Sequence, residues 1–404
     1  MKITDIKTVL LTGPCTNDPF LSEARKRRSA AFIEIYTDSG ITGFGETYAG
    51  YFFPEVVPEI VNFFAPILIG QDPDNIELLW NRMYQCGNFW ARVGLGSAVL
   101  SGIDAALWDI KGKREKKPVY QLLGGAKHNR LLCYATGGPS NYPLEKLERK
   151  IEFYLSLGFT AVKIAAGSFT KEEGLVIPQD PAQAADCEVK KLEFLKKRFG
   201  KDLLIMLDGH MGNNDSCIWN LQTAYVVLEA IKEYNIFFFE EPLHYTDISG
   251  YARLCKMTEV PVAGGECLTS FSEWYTFAIN DCFDIGQPDA AFTGGMTEFM
   301  KVSSLLQSRN RKIATHSWGA GGAFMQNIHC GFASENTIIL EIAPAFGPLH
   351  SEIIDDDFNM KDGYVYPPSK PGLGIKLTDD IKNRYKFVPG SGEFNSVPGK
   401  VLKE

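Results

Sequence analysis

Ile205-Met206-Leu207-Asp208 is a short apolar run that ends in a single carboxylate. The same form returns at Phe237-Phe238-Phe239-Glu240, Val262-Ala263-Gly264-Gly265-Glu266, Ile285-Gly286-Gln287-Pro288-Asp289, Ile313-Ala314-Thr315-His316 and Ile338-Ile339-Leu340-Glu341. The terminal residues lie about 32, 26, 23, 27 and 25 positions apart. That interval holds one strand, one helix and two turns, the repeating unit of an α/β barrel. All strands of such a barrel end at one mouth, so six ionisable residues face one another across a cleft. The pattern predicts a metal-assisted acid/base site.

Two further strands, 131–135 and 161–165, complete a set of eight. The helices between them carry apolar stripes: Leu144, Leu147, Ile151 and Leu155 share one face, and Gly158 supplies the stop. The interval between the second and third strands is stretched by 167–181, which reads as a loop on the site face. Residues 1 to about 50 read instead as antiparallel strands. Ala31-Phe32-Ile33-Glu34-Ile35-Tyr36 alternates, Asp38-Ser39-Gly40 turns, and Ile41-Thr42-Gly43-Phe44-Gly45 returns. Helices are predicted near 54–67, 76–87 and 97–115, the last apolar enough to be largely buried. Strands followed by helices make this an α+β domain. After about 345 the chain is Pro/Gly-rich, with Pro367-Pro368-Ser369-Lys370-Pro371-Gly372, and reads as an extended segment packing back on the N-terminal domain. The expected organisation is 1–125, an α+β domain; 126–345, the barrel; and 346–404, the returning segment.

Length calls for a second domain or long extensions beyond the barrel. The chain has 404 residues, more than the roughly 250 of a barrel alone. It is 45% hydrophobic and 22% charged, ordinary for a protein with a large core. Net charge is −8, with Lys and Arg scattered, so the basic face of a nucleic-acid binder is missing. Arg25-Lys26-Arg27-Arg28 is a run of four basic residues, read either as a solvated loop or as a contact to an anionic substrate. Nine cysteines occur without CxxC pairs or regular spacing, which fits neither a disulfide framework nor a zinc motif. Cys267 adjoins Glu266 but reads as a small core residue. No signal-peptide core follows Met1, and no apolar run reaches the length of a membrane span. A cytoplasmic, reduced protein without membrane partners is expected.

Asp208, Glu240 and Glu266 end three consecutive strands, and three carboxylates so placed repel unless a cation lies among them. An all-oxygen set of three leaves about half an octahedron for water and substrate, which suits Mg²⁺; zinc would call for histidine or cysteine. Glu241 rivals Glu240, because alternation points only one of them inward and the triple phenylalanine does not say which. Asp289 and His316 end the next two strands. A carboxylate beside imidazole fixes its tautomer and favours the protonated form, a proton donor. His210, two residues past Asp208, points to the same side in continued strand geometry and is either a base on a second face or a loop residue. Lys163 is a charge inside a strand; it either binds an anionic substrate near the metal or pairs with one of the acids.

These residues, in this order, resemble the mandelate racemase branch of the enolase superfamily. The supporting stretches are Ser101-Gly102-Ile103-Asp104-Ala105-Ala106-Leu107-Trp108-Asp109-Ile110-Lys111-Gly112-Lys113, Pro118-Val119-Tyr120-Gln121-Leu122-Leu123-Gly124-Gly125, Glu240-Glu241-Pro242 and Pro371-Gly372-Leu373-Gly374. The resemblance covers nearly the whole chain. It implies an α/β fold, a modified (β/α)7β TIM-like barrel under an α+β capping domain. It also implies Mg²⁺ held by Asp208, Glu240 and Glu266, an Asp289/His316 dyad, Glu341 contacting the substrate carboxylate, and a homo-oligomer. The chemistry it implies is proton removal beside a carboxylate by a Lys or His base, with Mg²⁺ and hydrogen-bond donors such as Lys163 and Glu341 stabilising the charge that develops.

One position departs from the branch. Its common Lys-x-Lys on the second strand is here Lys163-Ile164-Ala165, so the second lysine base is missing. The Asp208/His210 arrangement is similar to that of acid-sugar dehydratases, galactonate dehydratase among them. It implies His210 taking the α-proton while His316 protonates the departing β-hydroxyl, or His316 performing both steps, to give a 2-keto-3-deoxy acid. The alternatives are a racemase, epimerase or cycloisomerase, and a non-catalytic barrel homologue. Specificity is expected from capping loops at 17–28 and 48–53, whose closure would exclude water. Their polar and basic character suits a hydroxylated, anionic small molecule.

Overall fold

In the computed structural model, residues 1–390 are described except 16, 22–24, 138–141, 171–173, 213–217, 345, 357 and 359. The chain opens with strands β1 (Ile3–Pro14), β2 (Arg27–Thr37) and β3 (Thr42–Thr47), an antiparallel sheet in the order β1-β2-β3. Helices Val57–Leu68, Ile76–Gly87 and Leu95–Glu115 cover one of its faces. The predicted helix at 97–115 is buried around nearly all of its circumference, as its all-round apolar sequence requires. It meets β3 backbone to backbone: a Cβ at Gly45 would stand 2.1 Å from the Gly102 carbonyl oxygen.

The barrel strands are β4 (Leu131–Ala135) and β5 (Ala161–Ala165), then, after a hairpin of β6 (Ser168–Thr170) and β7 (Gly174–Val176), β8 (Leu204–Asp208), β9 (Phe239–Glu240), β10 (Val262–Gly264), β11 (Ile285–Gly286), β12 (Lys312–Thr315) and β13 (Thr337–Ile342). Each pairs in parallel with the next, and β13 closes on β4 through Leu340↔Cys133, Glu341↔Tyr134 and Ile342↔Ala135. Seven helices link the eight strands, so the barrel is (β/α)7β. Its interior is filled by one apolar cluster: Tyr134, Ala161, Met206, Phe238, Ala263, Ile285, Ala314 and Ile339, one from each strand or the residue just before it. The 167–181 stretch, expected to be loop alone, holds the β6/β7 hairpin, and residues 171–173 within it lie outside the described ones.

The segment after 345 is not wholly extended. It forms the hairpin β14 (Met360–Lys361) and β15 (Tyr364–Val365), which adds to β4 antiparallel, and a helix Asp379–Arg384. That helix has a complete set of end signals: Thr378 accepts from the Ile381 amide, Asp379 and Asp380 fill the first turn, and Lys382 and Arg384 the last. The segment also bridges Pro118 through Gly372 and Leu11 through Lys386. Among the described residues no helix is long and apolar enough to cross a membrane.

Because β3 lies directly on the backbone of helix 95–115, Gly45→Ala should cost about 1–3 kcal/mol of stability by overpacking. Urea denaturation of the purified variant checks this; an unchanged midpoint would mean that the sheet and helix can separate freely.

Candidate active site at the barrel mouth

The interior cluster sets the site by parity. Side chains of a strand alternate, so the residue two positions on faces the same way. Lys163, Asp208, Glu240, Gln287, His316 and Glu341 stand two residues beyond Ala161, Met206, Phe238, Ile285, Ala314 and Ile339. Phe238 is the inward phenylalanine, which turns Glu240 rather than Glu241 into the barrel. Glu266 breaks the count: Gly265 adopts φ +104°, and a Cβ there would lie 2.4 Å from the Trp274 ring. That turn carries Glu266 over the mouth.

Lys163 joins the acids. Its ammonium donates to Glu240 Oε1 and Oε2 at 2.8 and 2.7 Å and lies 3.0 Å from Asp208 Oδ2 and 3.6 Å from Glu341 Oε2. Of the two readings of this lysine, the structure displays the pairing with acids. His210 is reached by a different route from the one expected. The strand stops at Asp208, and His210 has φ +46°. In that left-handed turn its ring folds back, placing Nδ1 2.5 Å from Asp208 Oδ1 and Nε2 3.5 Å from Glu266 Oε1. His316 approaches the other oxygen of Glu266 at 3.7 Å, and its Nδ1 lies 2.8 Å from Asp289 Oδ2. The carboxylate can only accept, so Nδ1 carries the proton. All eight expected residues thus belong to one connected group.

Charge is unevenly served within that group. Burial alone would push the Lys163 ammonium down, but Asp208, Glu240, Tyr134 and Glu341 hold it well above its ordinary range. Burial likewise opposes the charge on His316, and Glu266, Glu341 and Asp289 overcome it, raising the ring to about 10. The two histidines pull Glu266 well below the usual carboxylate range against its burial. Glu240 has no histidine. Burial, and then Asp208, Glu266 and Glu341, push its carboxyl well up against the pull of Lys163. Burial also raises Glu241, to about 8. The acids outnumber the cations that face them.

That surplus bears on a metal. As the side chains stand, no three or more His, Cys, Asp or Glu among the described residues are arranged to hold an ion. The reason is local: Lys163 and His210 already bridge the carboxylates. The donor set fits a hard dication in kind, because the three acids offer only oxygen. Gln287 adds to it; its Nε2 donates to Glu240 Oε2 at 2.6 Å, while its Oε1 is buried without a hydrogen-bond partner.

Several site residues escaped the sequence reading. Gln287 lies within a quoted stretch, and its parity with Ile285 was the available signal. Tyr134 donates to Glu341 Oε2 at 2.7 Å from inside the first barrel strand. Asn327, on helix Gly321–Ala333, donates to Asp289 Oδ1 at 2.7 Å, and nothing local in sequence marks it.

The 48–53 loop reaches the mouth. Tyr48 packs edgewise on His316 with centroids 5.3 Å apart, and Tyr51, Phe52 and Phe292 surround it. Trp318 donates its indole N–H to the Tyr51 hydroxyl at 2.7 Å. The wall beside His316 is therefore aromatic. The first loop differs from the expectation of a basic lid. Arg28 lies in β2, is 1% exposed, donates to the Gly319 carbonyl and stacks over Trp318 at 5.1 Å. Its charge is spent holding the loop after His316. In the same stretch Phe20 accepts from Tyr142 through its carbonyl, and Asp18 from Tyr154, tying it to the first βα unit; residues 22–24 lie outside the described ones. Cys267 Sγ is 4.0 Å from Glu241, and burial pushes its thiol up.

Two family models match: the mandelate racemase / muconate lactonizing enzyme N-terminal domain over residues 8–124, and the enolase C-terminal domain-like model over 146–381. The arabinonate dehydratase of Saccharolobus solfataricus is 31% identical over 357 residues, 87% of this chain and 89% of that protein. Among solved structures, the 3,6-anhydro-D-galactonate cycloisomerase of Zobellia galactanivorans superposes with a TM-score of 0.80 at 29% identity, covering 95% of this chain and 99% of that one. The L-talarate dehydratase of Polaromonas sp. JS666, solved with Mg and L-glucarate, superposes with a TM-score of 0.78 at 26% identity, covering 96% and 98%. Barrel, capping domain and family models agree, and the chain belongs to the mandelate racemase / muconate lactonizing enzyme family of the enolase superfamily.

Proposed function

We propose that this protein is a Mg²⁺-assisted dehydratase of sugar acids, converting an aldonate or aldarate to a 2-keto-3-deoxy acid. The observation that supports it most is the His316–Asp289 pair set against Glu266, at the same mouth as Lys163, Asp208 and Glu240. Asp208, Glu240 and Glu266 would hold the ion. When bound, Mg²⁺ would supply the positive charge that makes the proton beside a substrate carboxylate removable.

The chain's own groups account for the rest. Lys163 would donate to the substrate carboxylate as negative charge builds on it, and Glu341, 3.6 Å from that ammonium, would contact the same carboxylate. His210, on one oxygen of Glu266, is the candidate base for the α-proton. The C–H electron pair forms the new C=C bond, and the β C–O bond breaks. His316, its Nδ1 proton held by Asp289, would use Nε2, which faces Glu266, to protonate the leaving hydroxyl, which departs as water. The enol then tautomerises to the ketone. Ala165 supports this division of labour, because no lysine stands where the family's second-strand base would be. The dehydratase relatives, one of arabinonate and one of L-talarate, support an acid sugar as the substrate class.

A second reading, enolisation without net loss of water, is favoured by the cycloisomerase neighbour. The two separate in D₂O: solvent deuterium at the α-carbon of recovered substrate or its isomer favours isomerisation, and a 2-keto-3-deoxy product favours dehydration.

Incubation with Mg²⁺ and a stereochemically complete set of aldonates and aldarates should give a 2-keto-3-deoxy acid from at least one. Failure across the whole set would reject the dehydratase reading. On that substrate His316→Asn should lower kcat about 10²–10⁴-fold, with Mg²⁺ affinity unchanged by calorimetry. Glu266→Gln should weaken Mg²⁺ binding at least about tenfold, as loss of a metal-site contact does. Full Mg²⁺ affinity in that variant would remove Glu266 from the ligand set.

A further inference from the structure

The barrel helices do not begin alike. Four carry their own N-caps: Asp180 accepts from the Ala182 and Gln183 amides, Asn220 from Thr223, Asp247 from Gly250 and Ser270 from Glu273. The helices that follow the two dyad strands, Met296–Ser308 after β11 and Gly321–Ala333 after β12, start at Gly295 and Ala320 and have no side-chain cap of their own. Two acids of the capping domain fill the role. Asp104, from helix 95–115, accepts from the Thr297 amide at 3.0 Å and the Thr297 hydroxyl at 2.6 Å. Glu46, near the end of β3, accepts from the Ala320 amide through Oε1 at 2.7 Å and from the Ala323 amide through Oε2 at 2.8 Å. The Glu46 backbone is bonded in both directions to Gln326 of the same helix.

These contacts continue to the dyad. His316 and Ala320 are separated by three residues, so Glu46 holds the far end of the loop that starts at His316. Helix Gly321–Ala333 then returns to the dyad through Asn327, which donates to Asp289 Oδ1 and accepts from the Ala290 amide at 2.8 Å. An anion at a helix start is normally stabilising. Here burial outweighs the hydrogen bonds, and both carboxyls are pushed up to about 7. Keeping two such acids ionised costs the fold, which makes sense if they fix geometry rather than add stability.

We propose that Glu46 and Asp104 are positioning residues of the active site: the capping domain of the same chain supplies the N-caps of the two helices that follow the strands ending at Asp289 and His316, so its docking sets the geometry of the dyad. The catalytic side of this inference rests on the role proposed above for that dyad; the structural side does not.

The test uses the full-length protein with Glu46→Gln and Asp104→Asn, and Glu34→Gln as a control. Glu34 is a buried acid of the same sheet that pairs with Lys382, away from the barrel helices. Hydrogen exchange by mass spectrometry should show faster exchange at 316–323 in Glu46→Gln and at 289–299 in Asp104→Asn, with the rest of the barrel as in the parent. The control should change neither segment. On a turned-over substrate, kcat in the two variants should fall ten- to a hundredfold with KM nearly unchanged, as expected for misplaced groups. Unchanged exchange at both segments, or faster exchange spread evenly over the chain, would overturn the proposal. Local exchange changes with kcat intact would overturn its catalytic part. If the parent turns over no sugar acid, the dehydratase reading fails and the exchange data alone decide whether the caps position the loops.

Discussion

A closed parallel barrel brings the side chains of neighbouring strands into layers, and the two-residue period of a strand puts each layer on the next. Here the bottom layer is Tyr134, Ala161, Met206, Phe238, Ala263, Ile285, Ala314 and Ile339, packed without polar groups other than the Tyr134 hydroxyl. The next layer cannot also be apolar without closing the mouth, and it is the layer of Lys163, Asp208, Glu240, Gln287, His316 and Glu341. The apolar floor excludes water from below, so charges above it act in a medium that strengthens every attraction and repulsion among them.

In that medium the balance of charge governs what the site can hold. Lys163 is committed to three carboxylates, and the two histidines serve Asp208, Glu266 and Asp289. Glu240 is left with the ammonium and the Gln287 amide against three acid neighbours. Under the proposed function, His210 and a dication would compete for the same pair, Asp208 and Glu266, because each would neutralise them. A site built this way has a use for added positive charge.

The capping domain does more than cover the mouth. Tyr48 lies on His316, Arg28 holds the Gly319 carbonyl, Glu46 holds the Ala320 and Ala323 amides, and Asp104 holds Thr297. All four contacts fall on the loops that follow β11 and β12 or on the first turns of the helices beyond them. The two domains are therefore joined beside the Asp289/His316 pair by hydrogen bonds between buried polar groups, which admit little slack.

Strand spacing, the apolar runs and the carboxylate or histidine that ends each one are local properties, and they were enough to predict the barrel, its eight strands and the meeting of the six run-ending residues at its mouth, though not which of Glu240 and Glu241 turns inward. The reason is that a period of two and a repeat of one strand and one helix act over short stretches, and barrel closure then leaves only one place for strand ends to meet. Other features depend on distant parts of the chain. The left-handed turn that folds His210 back on Asp208, the burial of Arg28 against Trp318 and the reach of Asn327 to Asp289 have no local signature. Glu46 and Asp104 read in sequence as one acid in a strand and one in a helix. Only packing of the capping domain on the barrel, across more than a hundred residues of chain, gives them helix amides to accept from, because an uncapped helix start can be satisfied by any donor-hungry oxygen that the tertiary fold brings to it.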